Sequence, residues 1–183
     1  MTLDVVTLEQ FTRGRLDRDD DESQRQLDAA LAAARRYCGW HVTPVLTSTT
    51  ITVDGPGQKY LVLPTLNLTA VTAVVENGVS LNVATLGWSA RGILVKTDNT
   101  WWAEGFSNIT ATVSHGYAVA DDFESVIFSA VDRGGFSNDG GGPSVIGPFQ
   151  YPTPSALTQG GAGAIFLGSE LAILDQYKLE KLA

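Results

Sequence analysis

The sequence predicts an α+β fold: a helical bundle with a small antiparallel β-barrel or sandwich inserted into it. Three observations carry this. Apolar residues recur at helical spacing before residue 40 and again after residue 120. Between them lies a Thr- and Val-rich stretch of short alternating runs broken by turn residues. Charge follows the same division: residues 1–40 hold eight acids and six bases, 41–118 four and three, and 119–183 eight and three. The implied divisions are N-terminal helices over 1–40, a β module over 41–118, and a helix over 119–134 packing on the N-terminal helices. An extended Gly/Pro-rich docking loop over 135–168 and a C-terminal helix over 169–183 follow.

In the first segment, Thr7 and Gln10 fit a capping box, with Val6 and Phe11 placed as a hydrophobic staple. After the charged break Arg18–Glu22, Asp20 or Asp21 can cap a second helix. There Leu27, Ala30, Leu31, Ala34, Tyr37 and Cys38 form one face, and Gly39 is the expected stop. Cys38, the single cysteine, reads as a small buried hydrophobe, so no disulfide framework is expected.

Strands are expected at Thr50–Val53, Tyr60–Leu63, Ala70–Glu76, Val79–Leu81, Arg91–Val95 and Asn108–His115. Asp54–Gly57 reads as a turn, and Asn77-Gly78 as a type I′ hairpin. Helix returns at Asp121, with Asp121 and Glu124 as a cap pair. Phe123, Val126, Ile127, Ala130 and Val131 form its apolar face, and Gly134-Gly135 its expected end. The stretch 135–168 is rich in Gly, Pro and Ser yet holds Ile146, Phe149, Tyr151, Ile165 and Phe166. An apolar but irregular segment of that length is expected to dock on something. A last amphipathic helix, capped by Ser169, is expected from there to Leu182.

The formal net charge of −8 opposes a dedicated nucleic-acid binder, which needs clustered Lys and Arg. It does not exclude a wall that DNA merely slides past, which should repel phosphate rather than hold it. No stretch reaches the roughly 18 apolar residues of a membrane span, and the N-terminus lacks the basic region of a signal peptide. Synthesis in the cytoplasm is expected. No catalytic residue, cofactor or metal is expected. His41 and His115 stand outside any HExxH or HxH frame, and the glycines at 160–163 lack a P-loop or GxGxxG frame. The acids at 19–22 do not match an EF-hand, and read as a helix start. Trp88, Trp101 and Trp102 support a second reading, a phage or surface β module that binds carbohydrate through exposed tryptophans. A third, a small hydrolase working through His41 or His115, lacks a nucleophile motif.

Four stretches carry a family resemblance. Leu27–Trp40 resembles a helix running into the motif Cys-Gly-Trp-His-Val, present here as Cys38–Val42. Ile109–Ala118 resembles the last strand before that family's second main helix. Gly147–Tyr151 resembles its loop motif of a Gly, a bulky residue and a Tyr, and Leu167–Leu179 its terminal helix, which often ends in Tyr-Arg where Tyr177-Lys178 stands here. The family's Ser-Glu-Ser run before the loop motif is absent, with Gly142–Val145 in its place. The family is the head-to-tail adaptor, or head-tail connector, of tailed bacteriophages with long non-contractile tails, in the form seen in phages of actinobacteria.

The resemblance implies a structural virion protein of the neck, between capsid and tail. It implies a homo-oligomeric ring, usually twelvefold, docked to the portal and followed by a stopper or tail-completion protein. DNA would pass through it without sequence-specific binding, and no membrane is involved. Portal contact is expected from 144–166 and 169–182, through Ile146, Phe149, Tyr151, Ile165, Phe166, Leu171, Leu174 and Tyr177. Contact between neighbours is expected from part of 42–117.

Overall fold

The computed structural model describes residues 3–16, 21–138, 145–146, 149–150 and 165–180. The chain forms two compact units. One joins Met1–Tyr37 to Ala120–Lys178, and the other joins Cys38–Val119 to Leu179–Ala183.

In the helical unit, α1 spans Val5–Phe11 and is capped by Asp4, whose carboxylate accepts from the Thr7 amide at 2.7 Å. The capping box expected at Thr7 does not form, because the cap lies three residues earlier and puts Thr7 inside the helix. The staple does not close either. Val6 is exposed, while Phe11 meets Phe128 at a ring-centroid distance of 5.5 Å. Helix α2, Asp21–Cys38, buries Leu27, Ala30, Ala34 and Cys38 along the expected stripe, with Asp21 and Glu22 in its first turn. Gly39 follows in the left-handed region, at φ 83°.

Helix α3, Asp121–Asn138, buries Phe123, Val126, Ile127, Phe128, Ala130 and Val131. It runs through Gly134-Gly135, where the sequence predicts a stop. A glycine in a helix costs about 1 kcal/mol relative to alanine but keeps its amide in the hydrogen-bond ladder, so it weakens the helix without ending it. Val145–Ile146 (β8) and Phe149–Gln150 (β9) form a two-rung antiparallel ladder. The terminal helix α4 covers Gly168–Leu174 and tightens into a 3-10 turn at Asp175–Tyr177, shorter than the expected run to Leu182. Its N-cap is Leu167, not Ser169, and the Glu170 carboxylate reaches back to accept from the Leu167 amide at 2.8 Å.

Among the described residues, the β unit holds seven strands. They are β1 (Leu46–Pro56), β2 (Tyr60–Val62), β3 (Leu68–Glu76), β4 (Val79–Leu81), β5 (Leu86–Trp88), β6 (Ile93–Lys96) and β7 (Glu104–His115). They form two antiparallel sheets, one ordered β1-β7-β3-β4 and the other β2-β6-β5. The closed barrel allowed by the sequence is not formed. Strands of three and four residues in the second sheet are too short to close on the long β1 and β7. The sheets instead share one core: Leu61, Leu63, Leu86 and Leu94 with Leu68, Val74, Trp102, Ile109, Ala111 and Val113.

Two turns show what glycine does here. Asn77 and Gly78 both have positive φ, 50° and 78°, as a type I′ turn requires. The expected turn at Asp54–Gly57 is instead mostly strand, since β1 continues to Pro56 through a register shift at Val53/Gly55. A Cβ on Gly55 would lie 1.9 Å from the Ala103 carbonyl oxygen, so only glycine allows that approach.

Candidate functional site

The residues expected to dock on a partner fall into three groups. Ile146 and Phe149 pair in the β8–β9 ladder, and Tyr151 lies outside the described residues. Phe166 and Leu174 are buried, and Leu171 and Tyr177 are partly buried. Ile165 keeps 49% of its surface exposed.

The second group is held by its own unit. Arg133 on α3 donates to both Glu170 carboxylate oxygens, each at 2.7 Å, and to the Ile165 carbonyl at 3.0 Å. One guanidinium fork thus fixes the first turn of α4 and the residue leading into it. The Tyr37 hydroxyl donates to Asp175 at 2.6 Å, and Lys178 sits 4.6 Å above the Tyr37 ring. The Tyr177 hydroxyl donates to Asp122, and its ring meets Phe123 edge-on at 5.5 Å. Tyr37 and Tyr177 thus tie the end of the segment to α2 and α3. The helical period in 169–182 marks this segment as amphipathic but cannot say whose surface covers its apolar side.

The β unit presents aromatics that sequence reasoning did not single out. Phe106 is 93% exposed on β7, yet the backbone around it is pinned. Ser107, at φ 48°, donates its amide to Asp54 at 2.6 Å, and Asn108 accepts from the Gly55 amide at 2.7 Å. A large apolar side chain on a rigid support is the form a docking anchor takes. Tyr60 is 56% exposed on β2. The three tryptophans do not share one surface. Trp101 and Trp88 are exposed, and Trp102 is buried in the core with the Lys96 ammonium 4.8 Å from its ring. Lys96 in turn pairs with Glu76 at 2.6 Å and donates to the Trp101 carbonyl at 3.1 Å.

The two histidines meet edge to face, with ring centroids 4.5 Å apart. His115 stacks on Trp40, His41 contacts the Pro44 carbonyl, and the Tyr117 ring meets Trp40 at a tilt, with centroids 5.9 Å apart. Burial holds His115 below the ordinary imidazole range, and His41 pushes it the same way. The folded β unit therefore resists a proton that the unfolded chain accepts near pH 6.5. Its stability is full above that pH and declines as pH falls through it toward the lower folded value. Urea midpoints at pH 7.5 and pH 5 should show this loss, and His115→Gln should remove it. Glu124 has the opposite sign, because burial raises its carboxyl above the usual range. Its ionised form costs the helical unit stability, and that cost is relieved as pH falls through its raised folded pKa toward the ordinary carboxylate value.

Among the described residues, no three His, Cys, Asp or Glu side chains gather to hold a metal ion, and no helix is long and apolar enough to cross a membrane.

No protein-family model matches the chain, and no curated sequence relative does. Solved structures do match in fold. A chain from the neck of a native GTA particle computed with C12 symmetry aligns over 100% of this chain and 94% of its own, with TM-score 0.59 and 12% identity. A chain from the neck of an empty GTA particle computed with C6 symmetry aligns over 98% and 90%, with TM-score 0.56 and 14% identity. A chain from the virion of a native gene transfer agent (GTA) particle aligns over 90% and 80%, with TM-score 0.53 and 13% identity. At these identities the likeness is one of fold.

Proposed function

We propose that this chain is a structural subunit of the neck of a tailed phage-like particle. It is the head-to-tail adaptor that joins portal to tail as a homo-oligomeric ring and forms part of the DNA channel. The observation that carries this is the end-to-end fold match to chains from GTA-particle necks computed with C6 and C12 symmetry. Both units are included in that match, so it reaches beyond a shared β module.

The charge supports the same reading. At −8 per subunit, a twelvefold ring carries roughly −100 of formal charge, which opposes adsorption of DNA and favours sliding. Portal contact is assigned to Ile146, Phe149, Tyr151 and Ile165, in the apolar stretch before α4. Phe166 and Leu174, buried in their own unit, and Tyr177, held by Asp122 and Phe123, support that stretch, and Leu171 stays within the proposed contact. A tail-completion protein would take the opposite side of the ring. The carbohydrate reading loses one of its three tryptophans to the core, since Trp102 is buried.

The test is the mass of the purified protein, alone and mixed with the portal of the same particle, by mass photometry. A ring, or a subunit that joins portal in fixed stoichiometry, is the expected result. A monomer indifferent to portal would overturn the assignment.

A further inference from the structure

The second sheet carries apolar residues on both of its faces. Tyr60-Leu61-Val62-Leu63 and Ile93-Leu94-Val95 are unbroken apolar runs, the composition of strands covered on two sides. Leu61 pairs across the ladder with Leu94, and both are buried in the shared core. Tyr60 pairs with Val95, and Val62 with Ile93, on the opposite face. There Tyr60, Val62 and Ile93 are exposed and Val95 is half-buried. Gly87 of β5 pairs with Val95 on the same face, and a Cβ there would meet the Val95 side chain at 3.1 Å. This face is a contiguous apolar patch presented to solvent, which a soluble chain retains when something covers it.

Charge indicates what the cover is. In residues 58–63 and 86–96 the charged side chains are Lys59, Arg91 and Lys96, with no acid. Lys96 is paired with Glu76. Lys59 precedes Tyr60 and Arg91 lies two residues before Ile93, so in this antiparallel pair they flank opposite ends of the patch. The complementary partner is acidic, and the chain itself supplies one. The helical unit holds fifteen acids against eight bases, whereas the β unit holds five against four. A contact between two copies of the same face would set Lys59 and Arg91 against their own duplicates and close at two subunits. A contact between unlike surfaces continues around a ring.

We infer that the outer face of the β2-β6-β5 sheet, centred on Tyr60, Val62 and Ile93, packs against the acidic helical unit of the next copy of this chain. The contact rests on the ring reading above and names its subunit interface. Four apolar side chains form the centre of such an interface and not its whole area, with Lys59 and Arg91 in the polar rim.

The experiment uses the full chain, alone and with portal. Hydroxyl-radical footprinting should show oxidation of Tyr60 falling at least fivefold when copies associate. Carbodiimide cross-linking of mixed heavy- and light-isotope protein should join Lys59 of one copy to carboxylates within 1–37 or 120–178 of another. Val62→Glu, and separately Lys59→Glu with Arg91→Glu, should raise the concentration needed for association at least tenfold while leaving the melting temperature unchanged. Rings in which Tyr60 stays as reactive as in dilute protein, or whose Lys59 cross-links fall within 38–119, would overturn this interface and leave the ring standing. Protection of Tyr60 by portal without contact between copies would assign the face to portal and overturn it as well. A wild-type chain that never associates, with or without portal, would remove the ring reading and this interface together.

Discussion

Trp102→Ala is expected to destabilise the β unit by about 3–5 kcal/mol, the usual cost of truncating a large aromatic in a core. Trp101→Ala, one position earlier, should change stability by no more than about 0.5 kcal/mol. The two side chains are 1% and 68% exposed. Trp102 sits with Leu61, Leu94, Val74 and Ile109 where the two sheets share their core, and Lys96 lies over its ring. Its indole N–H is buried with no hydrogen-bond partner among the described residues, so Trp102→Phe removes a polar group as well as volume and should cost much less than alanine. Urea denaturation followed by circular dichroism gives all three values. Equal effects at 101 and 102 would refute the core assignment and restore a shared tryptophan surface.

Arg133→Ala should cost the helical unit about 2–3 kcal/mol, because it leaves the Glu170 carboxylate largely enclosed without its guanidinium. Arg133→Lys should recover only part of this, since an ammonium cannot hold both carboxylate oxygens and the Ile165 carbonyl in one plane. The loss should be local. With the fork removed, Phe166, Leu174 and Tyr177 lose their fixed approach to α3, and limited proteolysis within 165–180 should accelerate at least tenfold. Replacing Glu170 with Gln in the Arg133→Ala background should relieve much of the cost, because the uncompensated charge is then gone. If Arg133→Ala left both stability and proteolysis unchanged, the supporting role given to α4 would fail. Portal binding would then have to be sought in those side chains directly.

Much of this protein was legible in its sequence because the relevant forces act within a few residues. The period of Leu27, Ala30, Ala34 and Cys38 marks a buried helix face wherever that helix goes. Asn77-Gly78 makes a type I′ turn because those two residues tolerate positive φ. Errors arose where two local solutions lay close in energy. Asp4 and Thr7 can each cap α1, and Gly134-Gly135 can weaken α3 or end it.

The candidate interface was only half legible, for a different reason. Composition shows that Phe166, Leu174, Tyr60, Val62 and Trp102 are apolar or aromatic and belong near apolar surface. Only the tertiary structure shows that Phe166, Leu174 and Trp102 find it inside their own units while Tyr60 and Val62 do not. It also brings His41 and His115 into ring contact from the two ends of the β module, and leaves two open sheets where a barrel was allowed. The sequence alone determined the helices, most of the strands and the placement of charge, since backbone hydrogen bonding and side-chain period are set by near neighbours. Which apolar face is covered, and by what, was decided by residues far apart in the chain, because burial is a property of the surface that arrives and not of the residue that waits for it.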